Sequence, residues 1–200
     1  MKDDKNNLQK RMSTIAKAGA NFFSKKGFVE TSMEEIAAAS KLSKGGMYHY
    51  FSSKTEVLYY ILDNFMDIVL HDLQKEIDEF ESGIEKVRRI IYRHVELFPK
   101  YMPEAKTLLQ EVQNLPPKYL KKILLKEREY FRITAGALSD YFGPSVERKH
   151  VTAMAFILLG MCNSIYVWYN PPQSPVTPEE LSKIIFDIII NGVYGYKNKT

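Results

Sequence analysis

The run Ser43-Lys44-Gly45-Gly46-Met47-Tyr48-His49-Tyr50-Phe51 gathers hydrogen-bonding groups and bare backbone into one short stretch. Ser43 can cap a helix start, its hydroxyl taking an amide proton that the first turn leaves unpaired. Met47 and Phe51 stand one helical turn apart and share an inward face. Lys44, Gly45, Tyr48 and His49 then point elsewhere. A surface with an ammonium, glycines, a phenol and an imidazole can approach a duplex closely and meet phosphate oxygens and base edges. This is recognition chemistry. Bond-breaking chemistry has no such support: the histidines at 49, 71, 94 and 150 lack metal-ligand spacing, and no Gly-x-Ser-x-Gly or phosphate-loop motif occurs. No catalytic residue, metal or cofactor is expected, and the chain does not read as an enzyme. The single cysteine, Cys162, excludes an internal disulfide framework.

The elements that must position this stretch are helical. Ser32 and Glu35 fit a capping box opening a short helix with Ile36 and Ala37 on its packed side, and Ser53 with Glu56 repeats the spacing. A turn of about three or four residues between the first two helices makes a helix-turn-helix unit. Upstream, Leu8, Met12, Ile15, Ala16, Gly19, Phe22 and Phe23 recur at helical spacing. Gly27 stops that helix, and Phe28 supplies the apolar contact of a C-terminal cap. Phe22, Phe23 and Phe28 are expected to form its small core. Charge follows the same division. Residues 1–54 hold 10 Lys and Arg against 5 Asp and Glu, a net of +5, while residues 55–200 hold 18 against 19. The positive excess lies where a nucleic-acid footprint would need it.

The pattern Ile15-Ala16…Phe22-Phe23…Gly27-Phe28…Thr31-Ser32-Met33…Ile36-Ala37…Ser43-Lys44-Gly45…Tyr48-His49-Tyr50-Phe51…Ser53-Lys54 resembles the N-terminal DNA-binding domain of the tetracycline-repressor (TetR) family of bacterial transcription regulators. The resemblance implies an all-α fold of about nine helices. A three-helix DNA-binding domain would occupy 1–53, and a ligand-binding and dimerisation bundle 54–200. It assigns Lys44, Gly45 and Gly46 to base edges in the major groove. Tyr48, His49 and Tyr50 fall at positions that touch phosphates or bases. Thr31 and Ser32 would offer a hydroxyl or backbone N–H to phosphate, and Lys54 would add charge at the next helix start. One position departs from the pattern. Lys41 stands where the family has glycine, so the turn must hold a lysine at positive φ.

Beyond Lys54, Val57, Ile61, Phe65, Ile68, Val69 and Leu73 keep helical spacing, a lever about twenty residues long. Further helices begin near Gly83 and Lys118, with breaks at Pro99, Pro103 and Pro116-Pro117. Lys118, Lys122 and Lys126 share one face, either simply solvated or facing an anionic part of a ligand. Val151–Tyr169 is apolar nearly all round, so it must be covered on every side. Thr177-Pro178-Glu179-Glu180 opens a last helix with a stripe of Leu181, Ile184, Ile185, Ile188, Ile189 and Val193. Two such helices are expected to pair with their copies in a two-fold homodimer through Ala155, Leu158, Leu159, Cys162, Ile184, Ile185, Ile188 and Ile189. Met1–Lys10 has no apolar core and is not a signal peptide. No membrane partner is expected, and the location is cytoplasmic.

Between residues 84 and 170 the chain offers Tyr92, Phe98, Tyr101, Met102, Leu108, Leu109, Phe131, Phe156, Met161, Asn163, Tyr166 and Trp168 as candidate lining of an apolar ligand pocket, with Asn163 as its polar contact. The segments Glu111-Val112…Leu115-Pro116-Pro117 and Trp168-Tyr169-Asn170-Pro171…Thr177-Pro178-Glu179-Glu180-Leu181 are similar to TetR-type regulators of fatty-acid, steroid or aromatic-acid breakdown, several of which sense acyl-CoA thioesters. The expectation is a repressor that binds a palindromic operator in double-stranded DNA as a dimer. A small hydrophobic effector, an acyl-CoA thioester among the candidates, would release it. The alternatives are a regulator of an efflux or stress gene sensing a lipophilic drug-like compound and, more remotely, a helical adaptor that binds no DNA.

Overall fold

In the computed structural model the backbone is described for residues 2–169 and 173–197, and side chains for 6–169 and 173–192. Every regular element among them is helical: α1 Lys2–Lys26, α2 Met33–Ala39, α3 Lys44–Tyr48, α4 Lys54–Leu70, α5 Leu73–Asp78, α6 Gly83–Glu111, α7 Pro117–Phe142, α8 Arg148–Asn163, α9 Ile165–Trp168 and α10 Pro178–Lys197, with a 3₁₀ turn at Val112–Asn114. The all-α expectation holds. The chain forms two compact units, one of Met1–Asp67 with Pro103–Leu124 and one of Ile68–Met102 with Leu125–Thr200.

The first unit is built on α1. Gly27 ends that helix at φ +89°, its N–H donating to Phe23 O at 2.9 Å, and Phe28 packs against Phe23 with centroids 5.4 Å apart. Phe23 is fully buried, whereas Phe22 and Phe28 are half-buried. The core beneath α2 and α3 is Ile15, Phe23, Ile36, Met47, Phe51, Leu58 and Leu62. Ala105 and Leu108 near the end of α6, and Leu115 in the turn before α7, complete it.

In the second unit α6 carries a kink. Tyr101 sits at φ −128°, ψ 28°, two residues before Pro103, which has no N–H for the helix ladder. The break expected between Pro99 and Pro103 is present at this non-helical residue, which separates two helical segments. α6 begins at Gly83 because only glycine fits. A Cβ there would lie 2.3 Å from the Tyr141 backbone nitrogen at the end of α7. Lys86 on α6 pairs with Asp140 on α7 at 2.6 Å beside this crossing. Further along, Glu76 of α5 receives Arg89 at 2.6 Å and also Arg93, and Arg93 donates to the carbonyls of Ile68 and His71 at the end of α4. The box at the head of α10 is present: Thr177 N–H donates to Glu180 at 2.8 Å, and Glu180 N–H to Thr177 Oγ1 at 3.2 Å.

Of the residues expected at the dimer faces, Ile184 and Ile188 on α10 are exposed, whereas the set on α8 turns mostly inward. Ala155, Leu158 and Cys162 have no exposure, and Ile185 and Ile189 are 5% and 7% exposed, all packed into their own unit. The faces left open carry Ala153, Phe156, Ile157 and Gly160 on α8, and Ile184, Ile188 and Asn191 on α10, with Leu159 half-buried at the margin. Within a single chain α8 is therefore covered on one side, and the other is left open. When both faces of a helix are apolar, periodicity cannot say which one meets its own core. The Val193 side chain and residues Asn170 and Pro171 lie outside the described residues.

Gly83→Ala is expected to lower stability by about 1–3 kcal/mol, since the obstructing atoms are backbone and cannot rotate away. A thermal melt with an unchanged or raised midpoint would contradict this.

Candidate nucleic-acid interface and ligand-binding region

The recognition stretch begins where the backbone requires it. Ser43 accepts the Gly46 N–H at 3.1 Å, and α3 runs only five residues before His49 caps it. The helix was expected to continue through Phe51. Instead the Tyr50 and Phe51 amides fold back onto the Met47 carbonyl at 3.0 and 3.1 Å. Met47 and Phe51 are buried, as their spacing implies, and hold this short element to the core. Lys44, Gly45, Tyr48 and His49 face solvent, with open space around the position of a Gly45 Cβ. Tyr50 is half-buried and meets His49 edge-on at 5.3 Å. Lys41 does adopt the left-handed conformation, at φ +57°.

Three neighbouring residues are less free than expected. Thr31 is 2% exposed; its hydroxyl donates to Gly27 O at 2.8 Å and its N–H to Phe28 O at 3.3 Å. Both donors are occupied within the protein, so Thr31 shapes the loop and does not offer them to a phosphate. Ser32 forms the full capping box: Glu35 takes its N–H and hydroxyl, each at 2.9 Å. Lys26 at 2.6 Å, then the Ser32 groups, hold the Glu35 carboxyl down at about 2. Lys54 donates to the carbonyls of Val29 at 3.1 Å and Thr31 at 2.7 Å, and lies 4.5 Å over the Phe28 ring. Its ammonium fastens the α1–α2 loop to the head of α4. At that head the acid of the expected box reaches one residue further back. Glu56 accepts from Ser52 while Ser53 caps the Glu56 N–H. Lys44, at the start of α3, pairs with Glu34 of α2 at 2.7 Å.

The candidate pocket residues are divided between the two units. Leu108 and Leu109 belong to the first unit, and Phe98, Phe131, Phe156, Asn163, Tyr166 and Trp168 to the second. Phe156 and Trp168 are 64% and 59% exposed, so neither is buried in its own unit. Tyr92 is exposed too and lines a cleft of about 400 Å³ between α6 and α10 with Phe80, Arg88 and Phe186. Phe98 is buried, while Tyr101, Met102, Met161, Asn163 and Tyr166 are half-buried. Lys118, Lys122 and Lys126 keep their i, i+4 spacing along α7. Lys122 lies 5.4 Å over Tyr59, which stacks on Tyr119 at 4.2 Å.

Sequence reasoning missed the polar centre of the second unit. His94 Nδ1 on α6 shares a 2.9 Å hydrogen bond with the Tyr130 hydroxyl on α7, and the His94 ring packs 5.4 Å from Phe98. Burial pulls the imidazole down to about 4 and pushes the phenol well above its ordinary range. The Cys162 thiol on α8 is pushed up to about 12 by the same cause. Each residue alone looked like an ordinary helix position. Their distant spacing in the chain gave no local signal.

The model of the bacterial regulatory proteins of the tetR family matches residues 15–61, and that of a tetracyclin repressor-like C-terminal domain matches 81–193. This chain belongs to the TetR family. It is 21% identical to the transcriptional repressor KstR2 of Mycobacterium tuberculosis over 192 residues, covering 93% of this chain and 94% of that one. A TetR-family regulator from Bordetella parapertussis superposes with a TM-score of 0.84 at 25% identity, covering 89% of this chain and 93% of that one. The regulator AibR, solved with isovaleryl coenzyme A and operator DNA, superposes with a TM-score of 0.79 at 24% identity, covering 89% and 97%. The family's members are transcriptional regulators and not enzymes, so this TetR-family chain is a transcriptional regulator.

Two measurements follow from this geometry. Lys41→Gly is expected to stabilise the protein by about 1 kcal/mol, because glycine adopts positive φ without a Cβ clash; a lower melting temperature would count against the strain. His94 affects acid stability. Its pKa is about 4 in the folded state and 6.5 unfolded, so the unfolded chain binds the extra proton first. Stability is at its full value above pH 6.5 and falls between pH 6.5 and 4, with a limiting slope of about 1.4 kcal/mol per pH unit. His94→Gln should flatten that part of the profile. Equal slopes for both proteins would exclude the assignment.

Proposed function

We propose that this TetR-family regulator is a repressor that binds a palindromic operator as a two-fold homodimer in the cytoplasm and is released by a small hydrophobic effector. The observation that carries this reading is the presence, in one chain, of an exposed helix-turn-helix face and an uncovered apolar stripe on α8 and α10. The stripe, with Ile157, Gly160, Ile184 and Ile188, offers two helices for pairing with their copies. Pairing would join two heads, and two weak half-site contacts would act as one strong one. Lys44, Gly45, Gly46, Tyr48 and His49 are assigned to DNA contact. Ser32 and Tyr50 sit at the margin, and Lys54 acts by holding the loop.

The effector is assigned to the second unit, around the His94–Tyr130 pair and Phe98. A neutral, hydrogen-bonded pair in apolar surroundings suits a carbonyl or hydroxyl on an otherwise apolar molecule. The acyl chain and thioester carbonyl of an acyl-CoA have that character, while its phosphates would need cationic partners outside this apolar centre. The fold shared with AibR makes this the first class to test. An effector acts only by its difference in affinity between DNA-competent and DNA-incompetent states, and coupling of ~1–3 kcal/mol would weaken operator binding about 5–150-fold.

The test combines light scattering with gel-shift titration on palindromes upstream of the regulator's own cistron. Wild type should be a dimer at micromolar concentration and bind one palindrome. Ile157→Glu with Ile188→Glu should give monomers whose binding is weaker by roughly 10²–10⁴-fold. A wild-type monomer indifferent to every such palindrome would refute the reading. A panel of acyl-CoA esters that neither raises the melting temperature nor releases DNA would remove the effector class alone.

A further inference from the structure

The capping box of α2 is filled by Glu35, which takes the Ser32 N–H and hydroxyl, and Glu34 stands beside it in the first turn. The Glu34 carboxylate lies 2.7 Å from Lys44 Nζ, across the helix-turn-helix unit. The two side chains are 53% and 67% exposed, and a pair that open to water adds little to folding. What the pair controls is the lysine that opens the recognition helix. The pairing lowers the pKa of Glu34 and raises that of Lys44, mainly through their shared hydrogen bond, so both stay charged at neutral pH.

An ammonium has three N–H donors, and the one directed at Glu34 leaves two. A phosphate would bring a second anion against that carboxylate and compete with it for the same charge. Guanine O6 and N7 are neutral acceptors and can take the remaining protons with the carboxylate in place. The carboxylate therefore opposes one kind of contact and tolerates the other. Lys25 and Lys41, both exposed and without an ion pair among the described residues, carry no such restriction.

We propose that Glu34 is a specificity-determining residue: through its ion pair it directs Lys44 to base edges and withholds that charge from sequence-independent phosphate binding. The inference rests on the DNA-binding reading above and assigns a role to a residue which that reading does not use. Discrimination then comes from a repulsive element beside the attractive one.

The experiment measures anisotropy for wild type, Glu34→Gln, Lys44→Gln and the double variant over a range of salt. Two duplexes are used: the palindrome that wild type selects from random DNA, and a scrambled version. Glu34→Gln should bind the scrambled duplex roughly tenfold tighter at low salt, with a plot of log affinity against log salt steeper by about one unit. Its preference for the palindrome should fall. In the Lys44→Gln background the same change should alter neither slope nor preference. Unchanged slope and preference in Glu34→Gln would overturn the proposal. So would an equal effect with and without Lys44, which would make Glu34 a diffuse negative charge. A wild type that selects no sequence ends the DNA-binding reading and this inference with it, whereas failure confined to the variants ends the inference alone.

Discussion

A helix of five residues has no stability of its own, because nucleation costs more than so few hydrogen bonds return. α3 therefore exists only where the surroundings impose it. Met47 and Phe51 anchor it from below, Ser43 closes its first turn, and the left-handed residue at Lys41 sets its angle to α2. The ammonium of Lys54 ties the loop ahead of α2 to the start of α4, so the pieces around the recognition stretch are held by charge as well as by packing. Everything the outward face can do depends on these inward contacts. They also explain why a short polar stretch can present side chains in a fixed arrangement.

Much of this was legible because its causes are local. A capping box is a relation over three residues, a glycine stop is a single residue, and a missing glycine at a turn is a single exception; Ser32–Glu35, Thr177–Glu180, Gly27 and Lys41 all behave as their neighbours demand. The all-helical class follows from the same short-range patterns. Relations over long distances in the chain were not legible. Gly83 is fixed by a backbone more than fifty residues away, and His94 meets Tyr130 over a separation of 36. Lys54 seemed a surface cation until the carbonyls of Val29 and Thr31 appeared beneath it. The side chains of Thr31 and Lys54 were read for what they could give a ligand, when other parts of the chain already claimed them.

The helices α8 and α10 show a different limit. Their composition says correctly that more apolar surface exists than one face can hide, but an all-round apolar helix carries no phase. The interior took Ala155, Leu158, Cys162, Ile185 and Ile189, and left Ile157, Ile184 and Ile188 outside. On α8 the stretch 153–161 has no polar side chain to mark the orientation, whereas on α10 Lys183, Asp187 and Asn191 do mark the open side. Asn163, the amide chosen as a pocket contact, lies at the last position of α8 and is half-buried, too near the end to serve as that mark.

Cys162 gives the second unit a built-in clock. It is the only thiol in the chain, it has no exposure, and burial holds it as the unreactive neutral form. A thiol reagent added to the native protein can therefore react only while α8 is transiently displaced, so the rate of modification counts those openings. Because every molecule carries one such site, the kinetics need no deconvolution, and the breathing of this helix can be followed without adding a label or altering a residue.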